Sequence, residues 1–296
     1  MINNSEPVIT PNSEFEHLIK LLDDEDDNVY SNVKDRFLSY GGESENYLKK
    51  FINDENILIK RRANEIVSII SFSNLEEKFF KLKQRSSKNF LINASFLITA
   101  LAYPGIDVKK YEKIIKDYSS EIKLRVINKF RKDNAEYPLD ILETINEYLF
   151  GELKYTGNSD NFFDPDNSFM NKVIDNKTGI PISLSVLYLL ITKELNLPVY
   201  GINMPGHFLL KYENKNAEYY IDPFNKGLII SGSEAERFAK NIGIVKSDFD
   251  SIPYLKKSTD TEIILRMLRN LLEIYREKSD SLKVAQIERL MNVIIT

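Results

Sequence analysis

Residues 179–212 read GIPISLSVLYLLITKELNLPVYGINMPGHFLLKY, and the fold turns on how this stretch divides. Pro181 suits the first turn of a helix, where its missing N–H removes no hydrogen bond. The run after it, ISLSVLYLLIT, is apolar nearly all round, which predicts a helix over 181–196 buried at a domain centre. Short segments of strand character follow: VYGIN, HFLLKY, EYYID and GLII. One of the chain's two histidines, His207, opens the second of them.

The tetrapeptide ENKN between two alternating segments predicts an antiparallel hairpin with 213–216 as its loop. In that register Tyr212 faces Ala217 and His207 stands opposite Asp222, with Cβ atoms roughly 4.5–5.5 Å apart on one face. A carboxylate on one imidazole nitrogen fixes the tautomer and stabilises the imidazolium, leaving the other nitrogen to act as base. A satisfied structural histidine in a sheet is the alternative. A helix start beside such a pair is where a nucleophile would feel the positive helix end. The chain has no cysteine, which excludes disulfides, thiolate metal sites and thiol catalysis. In the first helical turn the only nucleophile-type side chain is Ser183, with Ser185 two residues on. Serine needs a base such as His207 to take its proton; each serine also reads as a small residue for close helix–sheet packing.

With 296 residues, 43% hydrophobic and 28% charged, the chain reads as an ordinary globular protein able to bury a core. A formal charge of −4 gives no basic surface for nucleic acid. The opening MINNSEPVITPNSEFEHL has neither a basic n-region nor an apolar h-region, which favours the cytoplasm. The apolar run 180–192 falls short of the roughly 20 residues that span a bilayer, so no membrane is expected. From about Ser13 to Phe150 apolar residues recur at helical spacing in segment after segment, with Asn28, Asn74 and Asp107 where N-caps would stand. The acidic run Asp23 to Asp27 reads as the solvated entry to the next helix, and His17 as a partly exposed structural histidine. In GNSDNFFDPDNSF, the oxygens of Asp160, Asp164, Asp166 and Asn167 are conceivable cation ligands. Their spacing matches no EF-hand loop, so turn and capping roles are expected, and neither metal nor cofactor.

Taken together, YLFGELKYTGN, FFDPDNSFMNKVI, GIPISLSVLYL, LPVYGINMPGHFLLKY and YIDPFNKG resemble the SirB-type bacterial branch of the transglutaminase-like superfamily over residues 146–230. The resemblance implies an α+β, mainly helical protein: a papain/transglutaminase-like core, a central helix on a small antiparallel sheet, between helical flanks. The alternating helical segments before the core read as a HEAT-like array, dividing the chain into that array at 1–145, the core at 146–245 and a TPR-like hairpin at 246–296. The resemblance sets His207 and Asp222 at the second and third triad positions, and places the missing cysteine between Pro181 and Ser183. By the same pattern Asn158, Asp164 and Asn167 would border the cleft near His207. Two functions stay open: a non-catalytic scaffold that binds protein partners, or a serine-dependent hydrolase or acyltransferase using Ser183, His207 and Asp222.

Overall fold

The structure, a computed structural model, describes residues 11–85, 89–129, 138–241 and 255–296. The opening residues 1–10 and the junction near 246 lie outside the described residues. By packing, the chain divides into two compact units, residues 1–78 and 79–296. This division falls elsewhere than the changes in sequence character near 145 and 245.

In the first unit, short polar side chains mark where helices begin. After α1 (Pro11–Leu21), Asp26 accepts the N–H of Asn28 at 2.8 Å and caps α2 (Asp27–Tyr40). The cap is thus Asp26, two residues before the expected Asn28. Asp24 in turn accepts the N–H of Asp26, so the acidic run is a capped turn. Its carbonyls at Leu22 and Asp24 receive the buried Arg62 guanidinium, which lies 4.3 Å from the Tyr30 ring. His17 is exposed on α1. After α3 (Gly42–Leu48), α4 (Ile57–Gln84) is one helix of 28 residues where the sequence reading has two, broken at Asn74. No glycine or proline interrupts it. The Asn74 amide donates sideways to Glu45 Oε2 at 3.0 Å, beside Ser71 on Oε1, so the residue ties α4 to α3 and caps nothing. Phe15, Phe37, Leu48, Ile66 and Ile70 are among the residues that form this unit's core.

The second unit carries the site. It begins with α5 (Phe90–Ala100) and α6 (Val108–Lys129), where Asp107 reaches the Lys110 N–H as the expected N-cap. α7 (Pro138–Asn146), a π-helical turn (Glu147–Glu152) and β1 (Thr156–Gly157) follow. Next come a 3₁₀ turn (Pro165–Ser168), α8 (Met170–Asn176) and β2 (Thr178–Gly179), which pairs parallel with β1. α9 (Pro181–Glu194) is buried at every residue from Pro181 to Thr192, as its all-round apolar sequence requires. The strands are β3 (Val199–Met204), β4 (His207–Glu213), β5 (Glu218–Asp222), β6 (Leu228–Ile230) and β7 (Lys257–Ser258). They form one antiparallel sheet in the order β6-β5-β4-β3-β7. Helix α9 packs on β3 and β4, and also on α6, α8 and α11 (Asp260–Glu277). α10 (Gly232–Asn241) packs on β5, and α12 (Ser281–Ile295) on α11. The molecule is therefore mainly helical around a small antiparallel sheet, the α+β architecture the sequence implies. Among the described residues no helix is long and apolar enough to cross a membrane.

The β4–β5 register differs from the expected one by two residues. Glu213 pairs with Glu218, so the loop is 214–217. Two causes are visible. Asn214 Oδ1 accepts the N–H groups of both Asn216 and Ala217, closing the turn one residue later. Lys211 bridges the two opposed glutamates at 3.2 and 3.0 Å, offsetting their repulsion.

The turn after β5 depends on Gly227, whose φ is +73° and whose carbonyl accepts the Asn146 amide at 2.6 Å. A Cβ there would stand 2.4 Å from Asn146 Oδ1. Gly227→Ala is expected to cost about 2–3 kcal/mol and lower Tm by roughly 5–10 °C. A thermal melt followed by circular dichroism checks it; an unchanged Tm would show that the turn yields.

Candidate functional site

The site is assembled at one end of the sheet. Met204 pairs with His207, so Pro205-Gly206 is a two-residue turn; proline sets the first φ and Gly206 takes +72°. This puts His207 at the first position of β4, while Asp222 is the last residue of β5. With the observed register the two are diagonal neighbours, not directly opposed. A shift of two residues leaves every side chain on its face, because strand side chains alternate with period two. The pair therefore survives: His207 Nε2 lies 2.8 Å from Asp222 Oδ2, and both side chains are buried.

Asp222 is saturated with donors. Oδ2 also accepts the Asn225 amide at 2.7 Å, and Oδ1 accepts the backbone N–H groups of Phe224 and Asn225 at 3.1 and 3.2 Å. Burial pushes its carboxyl up, but the hydrogen bond and charge of His207, with the two bonds from Asn225, outweigh it and hold the group below the usual range. The Phe224 ring stands edge-on to the imidazole at 6.2 Å between centroids. Gly157 makes room for it: a Cβ there would fall 2.6 Å from the ring.

The imidazole lines a cleft of about 210 Å³. Ile180, Pro181 and Ile182 at the start of α9 form one wall, Phe162 and Phe163 another, and Arg266, Asn270 and Glu273 of α11 a third. At the start of α9 the cleft wall is apolar. Ser183 is fully buried and outside this lining. Its Oγ accepts the Ile180 N–H at 3.0 Å and reaches the carbonyls of Asn167 at 2.5 Å and Ile180 at 3.1 Å. Among the described residues it makes no hydrogen bond with His207. Of the three candidate triad positions, the structure thus brings His207 and Asp222 together and leaves Ser183 behind the helix start as a cap. Ser185, two residues further along the helix, is also fully buried.

The polar side chains of the 158–167 loop bond to one another. The Asn158 amide donates to Asn167 Oδ1, the Asn161 amide to Asp164 Oδ2, and the Asn167 amide to the carbonyls of Asn161 and Phe162. Asp164 Oδ1 takes the N–H of Asp166, and Asp166 itself accepts the Tyr103 hydroxyl. Asn158, Asp164 and Asn167 hold the loop in shape, and Phe162 and Phe163 are what it presents to the cleft. Among the described residues no group of three His, Cys, Asp or Glu could hold a metal ion. The sequence reading passed over Phe162, Phe163, Asn225 and Arg266. The DPFN turn was a usable signal for Asn225, since an aspartate bonding its own downstream backbone is a recurrent turn device.

Comparison with known proteins places the chain among sequence relatives. The model of the transglutaminase-like superfamily matches residues 109–269. A UPF0162 protein of Xylella fastidiosa is 32% identical over 187 residues, covering 62% of this chain and 64% of that protein. One from Vibrio cholerae is 33% identical over 90 residues, 30% of this chain and 33% of that protein. Mouse F-box only protein 21 is 36% identical over 109 residues, 34% of this chain but 17% of that protein. The chain thus spans a little under two thirds of the length of the first of these relatives. No solved structure matches it significantly.

Because the folded pKa of Asp222 is depressed, the stability it contributes is present above the unfolded value near 3.8 and is lost as pH falls through the folded one. Asp222→Asn is expected to cost about 2–4 kcal/mol at pH 7. The gap to the native chain should narrow below pH 4. Urea unfolding of both at pH 7 and pH 3 measures it, and a gap that widens on acidification would contradict the assignment.

Proposed function

The chain belongs to the transglutaminase-like superfamily, and from that premise we propose that it is a non-catalytic module that binds protein partners as a scaffold or regulator. The observation that carries this reading is the surface beside His207. Ile180, Pro181 and Ile182 line the cleft at the start of α9, where the family resemblance puts the nucleophile between Pro181 and Ser183, and the chain has no cysteine anywhere. Wall residues without a nucleophile leave shape and charge as what the cleft has to offer a partner. The match to 17% of F-box only protein 21 supports a module that works inside larger proteins. Membership of the SirB-type branch, a TPR-like role for α11 and α12, and residence in the cytoplasm without nucleic-acid partners belong to the same proposal.

The competing serine hydrolase needs the Ser183 proton to pass to His207. That proton is directed at backbone carbonyls, and moving it would undo the link between the loop at Asn167 and the start of α9. A fluorophosphonate probe is therefore expected to leave the purified protein unlabelled. Labelling that disappears in Ser183→Ala would replace the scaffold reading by the hydrolase.

A further inference from the structure

Resting on the partner-binding reading above, we propose that the cleft beside His207 captures the C-terminal carboxylate of a partner polypeptide, with Arg266 as its anchor. Arg266 lines the cleft from α11 and is half-buried. Its Nη1 donates to Asn203 Oδ1 at 3.2 Å, which fixes the plane of the guanidinium against β3. Among the described residues neither Nε nor Nη2 has a hydrogen-bond partner, and no carboxylate pairs with the group. Nε is buried and unpartnered, so the donor left for an entering carboxylate is Nη2, through one charge-assisted hydrogen bond. A guanidinium set among Ile180, Pro181, Ile182 and Phe208 and left without an anion is costly to keep. Burial and the neighbouring Arg269 push its pKa down, as expected for a cation short of a counter-charge.

The order of polar groups along α11 selects the occupant. Arg266, Asn270 and Glu273 stand at i, i+4 and i+7 and share a helix face. Arg266 and Asn270 are half-buried and Glu273 is exposed at the mouth, where it contacts Arg276 at 3.3 Å. Along this face of the helix the groups run cation, amide and anion, with only the anion exposed. A chain terminus entering end-on matches that order: its carboxylate meets Arg266, and its last amide groups face Asn270 and Glu273. The distance from Arg266 to Glu273 along the helix is about 10 Å, the length of three extended residues. A phosphate dianion is disfavoured, because one arginine faces it and Glu273 guards the entrance. An internal acidic side chain would have to bring two continuing strands through the same small opening. Phe162 and Phe163 offer the apolar wall for the terminal side chains.

Selection from a library displaying free C-terminal heptapeptides on the full chain tests this. The selected peptides are resynthesised with acetylated N-termini, as free acids and as amides, and binding is read by fluorescence polarisation. The acid form is expected to bind at least tenfold tighter than the amide, with the difference shrinking as salt rises. Arg266→Gln should abolish the difference and Arg266→Lys keep part of it, with circular dichroism confirming that both variants fold. Equal binding of acid and amide, or a preference unchanged in Arg266→Gln, overturns the proposal. So does binding of amides through an internal Glu or Asp, and so does a selection that yields no binder. Failure here with the fluorophosphonate result intact sinks the anchor and leaves the non-catalytic reading standing.

Discussion

A buried carboxylate surrounded by four donors organises the end of the sheet. Taking an ion out of water costs several kcal/mol even after relaxation, and the penalty is offset only if its lone pairs are met. Asp222 meets that condition by drawing in His207 from the neighbouring strand and Phe224 and Asn225 from its own turn. Each bond has a structural consequence. The two backbone bonds curl the chain toward β6, the Asn225 amide closes the turn, and the imidazole ties β5 to the first residue of β4. Phe224 is thereby set between Gly157 and the imidazole, so the same carboxylate also fixes what stands behind His207. A His–Asp pair embedded in this way has a reason to persist whether or not any proton is ever transferred.

The start of α9 carries the complementary constraint. A helix leaves its first N–H groups without intrahelical partners, and here Ser183 supplies a side-chain oxygen to the Ile180 N–H. The same hydroxyl reaches the Asn167 carbonyl, joining a loop of many polar residues to an apolar helix. Gly179 is what lets it fit, since a Cβ on that residue would lie 2.6 Å from Ser183 Oγ. Capping and nucleophilic attack make opposite demands on one hydroxyl: the first holds it inside the helix–loop joint, the second needs it at the cleft surface. The packing around Gly179 resolves the conflict in favour of the cap.

Local chemistry decided which of these features the sequence discloses. The strands were legible because alternation marks them and the tetrapeptide ENKN separates two of them, and α9 because its sequence is apolar nearly all round. The His207–Asp222 contact was legible for a reason more robust than the register proposed for it: any even shift keeps both on one face. The exact pairing was not legible, since it depended on Lys211 reconciling two glutamates that a sequence reading assigns on polarity alone, one to the loop. The continuity of α4 through Asn74 was hidden likewise, because the amide's partner, Glu45, lies 29 residues away. Ser183 carried two readings in the sequence, and only the position of the Asn167 carbonyl separates them.

The third wall of the cleft shows why a helix far along the chain belongs to the site's chemistry. An amphipathic helix at a protein surface normally turns its polar stripe to water. α11 buries Ile263, Ile264, Met267, Leu268 and Leu271 against its neighbours, among them α5, α9 and α12. Yet Arg266 and Asn270, between those apolar positions, are only half exposed, because β3 and the start of α9 rise beside them. Polarity at such positions gains only part of what bulk water offers and little from intramolecular bonds, since Asn203 accepts from Nη1 of Arg266 alone. Apolar side chains of similar volume would pack there at lower cost. Keeping an arginine on this wall of the cleft is therefore a charge arrangement that folding does not require.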